Sequence, residues 1–489
     1  MQNNVKDSLS KTIFKYASGH IYKNILGVFS AFIKPKLLTP ELFGLWNILS
    51  IIPTYANYSH LGTLEALKYK IPYHEAKKEH HKNEEIKSTS FYGSLYLNLL
   101  VAAGLISFFF IGNLNAEQKT GVLTMSVIVI LAWYAQNYRV RLKAYQKFNI
   151  ITSSVYLSSN IMFFSTIILV YLFGIYGVYL AGILTLTTVI FYFKTKYPLG
   201  THSKFKYNIF KDLVKVGLPI TFFNICTELI RSSDKIIISY FLGNKLLGYY
   251  GISSMVVGFL MNVPRVSREV FEPRLMQEID NSKEDNLNEY FLKPLINTAY
   301  YMPFPIGAVF LIFPVLIPLI LPRYVEGIIP TQILVLGSYF LSLSYMARGI
   351  IVANKWQLKA SLIMLFVLPV NIGLSVFSIK SGFGINGVAF GSSISFFILF
   401  ISFLIFIKSK CNYSQQDWRR NLVAICWPFP IMCAVLAVLQ VLSRVFFTNE
   451  YLATVINLIV FGIIMVLLLN YSSKKIPLLK KIKIKKIFQ

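Results

Sequence analysis

Fourteen apolar stretches run through this chain, each long enough, at about 20 residues, to cross a hydrocarbon core of about 30 Å. They fall at 12–33, 42–65, 89–111, 121–138, 150–172, 175–193, 213–238, 246–264, 294–320, 331–347, 360–379, 385–407, 422–443 and 451–471. In lipid every backbone N–H and C=O has to be satisfied within the protein, so spans of this length are helices. The expected fold is therefore an all-α polytopic membrane protein of about fourteen transmembrane helices. Composition agrees, because 55% of the 489 residues are hydrophobic and only 14% charged, too apolar for a soluble chain of this length.

Two short patterns occur twice. Leu38-Thr39-Pro40-Glu41-Leu42-Phe43-Gly44-Leu45-Trp46 returns in looser form as Leu242-Gly243-Asn244-Lys245-Leu246-Leu247-Gly248-Tyr249-Tyr250, an offset of 204. Gly174-Ile175-Tyr176-Gly177-Val178 returns as Gly384-Ile385-Asn386-Gly387-Val388, an offset of 210. The chain reads as a duplicated unit: an N-lobe at 1–193 with spans 1 to 6, a basic linker at 194–212, and a C-lobe at 213–407 with spans 7 to 12. Spans 13 and 14 (408–471) and a basic tail (472–489) are additions. An even number of spans per repeat makes the two repeats parallel, related by an axis along the membrane normal, a usual build of secondary transporters with the substrate site between the halves.

The formal net charge of +27 would suggest nucleic acid in a soluble protein, but the positions of the charges decide otherwise. Of the 48 Lys and Arg, 37 fall in the termini and in every second loop, and the intervening loops carry only seven: Lys34, Lys36, Lys119, Lys245, Arg323, Lys380 and Arg444. The positive-inside rule then places both termini and the basic loops in the cytoplasm. No cleavable signal is expected, since Met1 to Lys11 is polar and the first span is too long for a signal core. Cys226, Cys426 and Cys433 lie in spans and Cys411 in a cytoplasmic loop, so no disulfide framework is implied. His80 and His81, in a mixed-charge loop, read as solvated surface rather than metal ligands. The tail from Lys474 carries seven lysines among apolar residues, suited to anionic membrane lipid and equally to an orientation signal alone.

Charges inside the spans mark the candidate site. Span 1 carries Tyr16, His20, Lys23, Asn24 and Gly27 along one helical face, and span 7 carries Asn224, Thr227, Glu228, Arg231, Asp234 and Lys235. At the offset of 204, His20 maps to Asn224, Lys23 to Thr227, Asn24 to Glu228 and Gly27 to Arg231. Intramembrane charges are costly and face a partner or a wet cavity. Counting His20 as titratable, four cations stand against two acids, a balance that favours an anionic cargo such as a diphosphate. The competing reading has Glu228, Arg231, Asp234 and Lys235 neutralising one another at helical spacing. Asn47, Ser50 and Thr54 in span 2 add a weaker stripe against Gly251, Ser254 and Gly258 in span 8, with helix packing as the alternative role. Glu65 and Glu269 also correspond, near the cytoplasmic ends. Seven prolines in spans, four of them in span 9, are candidate bends.

The two copies of the Leu-Thr-Pro-Glu-Leu-Phe-Gly pattern, Gly217-Leu218-Pro219 followed by Asp234-Lys235, and Gly384-Ile385-Asn386-Gly387-Val388-Ala389 resemble the polysaccharide-biosynthesis flippases of the multidrug/oligosaccharidyl-lipid/polysaccharide exporter superfamily. The resemblance covers nearly the whole chain. It implies that a polyprenyl-diphosphate-linked oligosaccharide, an O-antigen or capsule repeat unit, is turned to the outer face of the bacterial inner membrane by alternating access between the lobes. Polysaccharide polymerase and chain-length machinery are the implied neighbours. It carries over no catalytic signature, cofactor or metal, so the candidate residues rest on position and chemistry. A cation-coupled drug exporter and a lipid II flippase of the same superfamily stay open. A membrane glycosyltransferase or polymerase needs a sizeable outer loop, and the outer loops here are short, so a transporter rather than an enzyme is expected. Coupling to protons or to sodium, through Glu228, Asp234 or His20, stays open.

Overall fold

The computed structural model describes residues 2–198, 200, 203–268, 287–410 and 415–475, with backbone alone at 2–17, 20, 287–291, 415–417, 444 and 473–475. Every regular element among them is helical. In chain order these are α1 (Gln2–Leu37), α2 (Pro40–Leu49), α3 (Ile51–Ala56), α4 (Thr63–Ala76), α5 (His80–Ile111), α6 (Ala116–Ala144), α7 (Phe148–Phe173), α8 (Ile175–Lys196) and α9 (Tyr207–Leu260). There follow α10 (Leu287–Tyr301), α11 (Pro303–Ile320), α12 (Ile328–Ala353), α13 (Gln357–Lys380), α14 (Gly384–Lys408), α15 (Gln415–Cys426), α16 (Pro428–Phe446) and α17 (Glu450–Lys475).

Eleven helical stretches among the described residues are long and apolar enough to cross a membrane. The first expected span lies on α1 and the second on α2 and α3, while the seventh and eighth share one of the eleven stretches, α9 with its continuation to Arg268. Large apolar side chains stand exposed along several of them, such as Phe110, Ile111, Tyr171 and Phe366, as lipid-facing residues do. Glu269, Cys411 and nearly all of the lysine-rich tail fall outside the described residues.

Packing divides the chain into two compact units, 1–228 and 229–489, with the division inside α9. In the first unit α7 lies against both α1 and α8, and α5 and α4 pack on α6. Two hydrogen bonds tie α1 to α7: Tyr22 donates to Asn160 Oδ1 at 2.7 Å, and Ser18 Oγ meets Tyr156 Oη at 3.0 Å. In the second unit α12 is the most buried span and packs chiefly against α14, which also holds α13. The added helices α16 and α17 pack on each other and on α11.

The second expected span is not one helix. Proline at 53 has no N–H to offer Leu49, and the local side chains turn inward on the backbone: Asn47 Nδ2 donates to the Phe43 carbonyl (2.9 Å), Ser50 Oγ to Asn47 (2.8 Å) and Thr54 Oγ1 to Ser50 (3.0 Å). The chain then leaves helix between Ala56 and Thr63, where Leu61 and Gly62 take positive φ of 48° and 92°. His60 Nδ1 accepts from the Gly62 N–H at 2.9 Å and closes this turn. Gly62 sits so close to Gly217 that an added Cβ would lie 2.2 Å from the Gly217 carbonyl carbon, and one on Gly217 would lie 1.8 Å from the Gly62 oxygen. That contact holds the start of α9 in the first unit. In span 9, α10 ends at Tyr301 and the helix restarts at Pro303, with Met302 between them still at φ −64° and ψ −30°, whereas α9 runs through Pro219 and α13 through Pro369.

Candidate functional site

In the first unit, α1, α6, α7 and α8 enclose a cavity of about 330 Å³. Lys23, Lys34 and Arg139 line it, and no carboxylate does. Hydroxyls complete the polar wall: Ser30 from α1, Ser158 and Ser159 from α7, and Thr185 from α8. Ser158, Ser159 and Thr185 give their protons to carbonyls of their own helices, Val155 for the two serines and Ala181 for the threonine. Their oxygens keep lone pairs for a further partner.

Lys23 is expected in a cavity shared with span 7, whereas the cavity it lines is walled by the first unit alone; Lys34 and Arg139 lie in segments read as loops. The signal for Lys34 lay in the spacing: Lys23, Gly27, Ser30, Ala31 and Lys34 continue one helical stripe, and α1 extends to Leu37 with Pro35 inside it. Lys34 Nζ also stands 4.7 Å from the centre of the Trp46 ring, a cation–π contact that fixes the end of α1 against α2. Asn24 is half-buried on the same helix and does not line the cavity. The His20 side chain lies outside what the structure describes. Asn47 is buried, and its amide is engaged by the Phe43 carbonyl.

Asn224 and Glu228 are half-buried on the part of α9 that belongs to the first unit. Thr227 lies between them, and Arg231, Asp234 and Lys235 belong to the second unit, where they separate into two clusters. Asp234 is buried and accepts a hydrogen bond from the Tyr250 hydroxyl and another from the Lys235 N–H at 2.8 Å. The Tyr250 hydroxyl also bonds Ser392. Asn371 Nδ2 reaches Ser392 Oγ at 3.4 Å, and Ser233 Oγ donates to Asn371 Oδ1 at 2.8 Å. Asp234 is thus the carboxyl of a buried hydroxyl and amide network that joins α9, α13 and α14.

Arg231 joins a different group. It acts electrostatically on Tyr345 together with Arg265 and Arg348; Arg265 is hydrogen-bonded to the Tyr345 hydroxyl, and the Arg348 guanidinium lies 5.6 Å from the ring centre. Periodicity along span 7 pointed to Arg231 alone, since Arg265 and Arg348 come from segments read as cytoplasmic loops. Lys235 is half-buried beside Asp234. Each unit therefore carries its own cationic cluster, built on lysines in the first and on arginines in the second.

Known structures are similar to this chain over most of its length. A lipid II flippase, MurJ, in an inward closed conformation superposes with a TM-score of 0.70 at 17% identity, covering 94% of this chain and 98% of that one. An inward-facing multidrug resistance transporter of the MATE family gives 0.61 at 14% identity, covering 79% and 94%. A transporter of the same MOP superfamily from Pyrococcus furiosus, described as having a binding pocket of reverse polarity, gives 0.58 at 14% identity, covering 82% and 94%. At such identity these likenesses show the fold: a MurJ- and MATE-like polytopic bundle. No curated protein matches the chain by sequence. The family model for polysaccharide biosynthesis proteins matches residues 34–330, more than half of the chain, and the protein belongs to that family.

Proposed function

We propose that this protein is a flippase that turns a polyprenyl-diphosphate-linked oligosaccharide, an O-antigen or capsule repeat unit, from the cytoplasmic to the outer face of the bacterial inner membrane by alternating access. The observation that carries this reading is the lining of the first unit's cavity, where Lys23, Lys34 and Arg139 stand beside hydroxyls with no carboxylate among them. A phosphorylated, hydroxyl-rich head group crosses hydrocarbon only at a cost of about 2 to 7 kcal/mol for each unsatisfied polar group. Cations that take its phosphate oxygens in charge-assisted hydrogen bonds remove most of that barrier. Arg139 suits bidentate contact and the lysines suit point-charge contact. The polyprenyl tail stays in lipid, and no covalent bond is made or broken.

Family membership supports a role in polysaccharide assembly, and a lipid II flippase among the similar structures supports a lipid-linked cargo. Within the second unit we assign cargo contact to Arg231, with its neighbours at Tyr345, and coupling to Asp234. A buried carboxylate in a network of hydroxyls and amides is where a proton or a sodium ion would replace the Tyr250 hydroxyl. His20, Asn24, Asn224, Glu228 and Lys235 complete the proposed polar path. The termini lie in the cytoplasm, and the product is delivered on the side where a polymerase and chain-length machinery take it up. An exporter of cationic drugs calls for carboxylates facing the cargo, and the first unit's cavity has none.

Mass spectrometry of lipid extracts from cells with and without the protein tests the reading. Loss of the protein is expected to accumulate a polyprenyl-diphosphate oligosaccharide whose mass names the cargo. Accumulated lipid II would reassign the cargo, and an unchanged lipid pool would count against flipping altogether. Arg231→Ala is expected to abolish surface polysaccharide at unchanged membrane expression.

A further inference from the structure

The added helices α16 and α17, together with α11, enclose a second cavity of about 400 Å³, within the roughly 300–1,000 Å³ of small-molecule sites. It shares no described lining residue with either cationic cluster. Its polar wall consists of Gln440, Ser443, Thr448, Glu450, Thr454 and Asn457, and its apolar part includes Leu311, Pro314 and Phe447.

Asn457 is the informative member. It is only 7% exposed, lines the cavity, and its amide makes no hydrogen bond among the described residues. A carboxamide has two donors and two acceptor sites, and one that faces a narrow cavity gains from a partner that pairs them. The Gln440 amide in the same wall is likewise without a partner among the described residues. The first turn of α17 is already satisfied, because Asn449 Oδ1 accepts from the N–H groups of Tyr451 (2.9 Å) and Leu452 (3.2 Å). That leaves the Glu450 carboxylate to the cavity. Ser443 and Thr454 donate to the carbonyls of Gln440 (3.0 Å) and Glu450 (2.8 Å), so their oxygens face a ligand as acceptors.

From this we infer that the pocket between α11, α16 and α17 is a saccharide-binding site, taking one or two uncharged sugar units. Adjacent sugar hydroxyls donate and accept at once, which is what two free amides and a carboxylate require. Phe447 and Pro314 offer apolar faces to the C–H side of a sugar ring. A phosphate is disfavoured by Glu450, and no cation stands among the described side chains of the wall; an acyl chain is disfavoured by the polar wall. A hard cation takes about six or more oxygens and has no use for the N–H donors of Gln440 and Asn457. The pocket opens beside the turn between spans 13 and 14, on the side expected to face outward. Its physiological ligand would be the sugar portion of cargo already turned over, and that part of the inference rests on the flippase reading.

The test is saturation-transfer NMR on the detergent-purified full-length protein. The probes are disaccharides of glucose, galactose, N-acetylglucosamine and N-acetylgalactosamine at millimolar concentration. At least one is expected to bind saturably, and at least tenfold more weakly to Asn457→Leu and to Glu450→Gln. Should Asn457→Leu fail to elute as wild type on size exclusion, Gln440→Ala and Thr454→Val at the less buried wall replace it, with a severalfold loss expected. No saturable sugar signal, or equal binding by wild type and variants, overturns the proposal. So does sodium-23 line broadening that Glu450→Gln abolishes in a protein that ignores every sugar. The lipid extracts separate the two readings: accumulated lipid-linked glycan without sugar binding sinks this inference alone, whereas sugar binding with an unchanged lipid pool sinks the flippase reading alone.

Discussion

Residues 40–64 take two helices, two breaks and the start of a third helix, whereas residues 244–268, the same stretch at the offset of 204, take one helix and a single turn at Met261. The difference lies in how each stretch satisfies its polar groups. In the first, Pro53 withholds a donor, and Asn47, Ser50 and Thr54 spend theirs on carbonyls of their own turns. In the second, Gly251, Ser254 and Gly258 occupy the matching positions, and the helix passes through unbroken. The aromatic that opens each stretch also differs in partner. Trp46 meets a cation, Lys34, while Tyr250 gives its proton to a buried anion, Asp234. A duplicated span can thus keep its place and exchange both its geometry and the sign of the charge that anchors it.

The sharpest way to break this comparison is at the close backbone contact that only the first stretch possesses. Gly217→Ala places a Cβ 1.8 Å from the Gly62 carbonyl oxygen, where backbone alone has to yield. Thermal unfolding in detergent is expected to show a loss at or above the roughly 3 kcal/mol upper end of ordinary overpacking. Val266→Ala, at the position matching Gly62, is expected to change stability by less than about 0.5 kcal/mol, since Val266 is exposed. Equal losses would mean that the break confers no special constraint.

Next in size is the anchor of the second stretch. Tyr250→Phe leaves Asp234 buried without its phenol donor, a loss of about 1–3 kcal/mol, measurable by the same unfolding. Trp46→Leu removes the cation–π contact with Lys34 and is expected to cost less, about 0.5–1 kcal/mol beyond the lost burial. A reversed order would place the stronger anchor in the first stretch.

The smallest effect concerns acid. Glu79, after α4, is held below the usual glutamate range by its hydrogen bond with His74 at 2.6 Å. A lowered folded value stabilises the turn fully above the unfolded value of about 4.3. That contribution is lost as pH falls through the lowered folded value. Amide exchange at residues 77–80 is expected to be flat from pH 7 to 5 and to quicken, relative to its intrinsic rate, only in the more acidic range. Glu79→Gln should remove that step.

Span positions were legible because apolar length sets them, and each of the fourteen falls mainly on helix. The break after Ala56 was not, because Asn57 to Gly62 sits inside an apolar window, and its escape from helix depends on the His60 ring and on a neighbouring backbone at Gly217. Lys23 was legible as a cavity cation from its helical stripe. Lys34 was hidden by a helix end expected at residue 33, and Arg139 by its place just beyond a span. Arg265 and Arg348 were hidden for another reason: periodicity along one helix cannot say which side chains of other helices reach Tyr345. Asp234 was legible as an intramembrane charge, but its partner Tyr250 is 16 residues away, beyond Gly243, where φ of 81° and ψ of 175° interrupt α9.

The crossing of Gly62 and Gly217 has a genetic consequence. Most tight packing defects can be repaired by shrinking the residue opposite, but both partners here are already the smallest side chain available. A damaging substitution at either has no compensating change at the other, so a search for second-site suppressors is expected to return none there. Suppressors should instead alter the path of the backbone, at Leu61, Leu218 or Pro219.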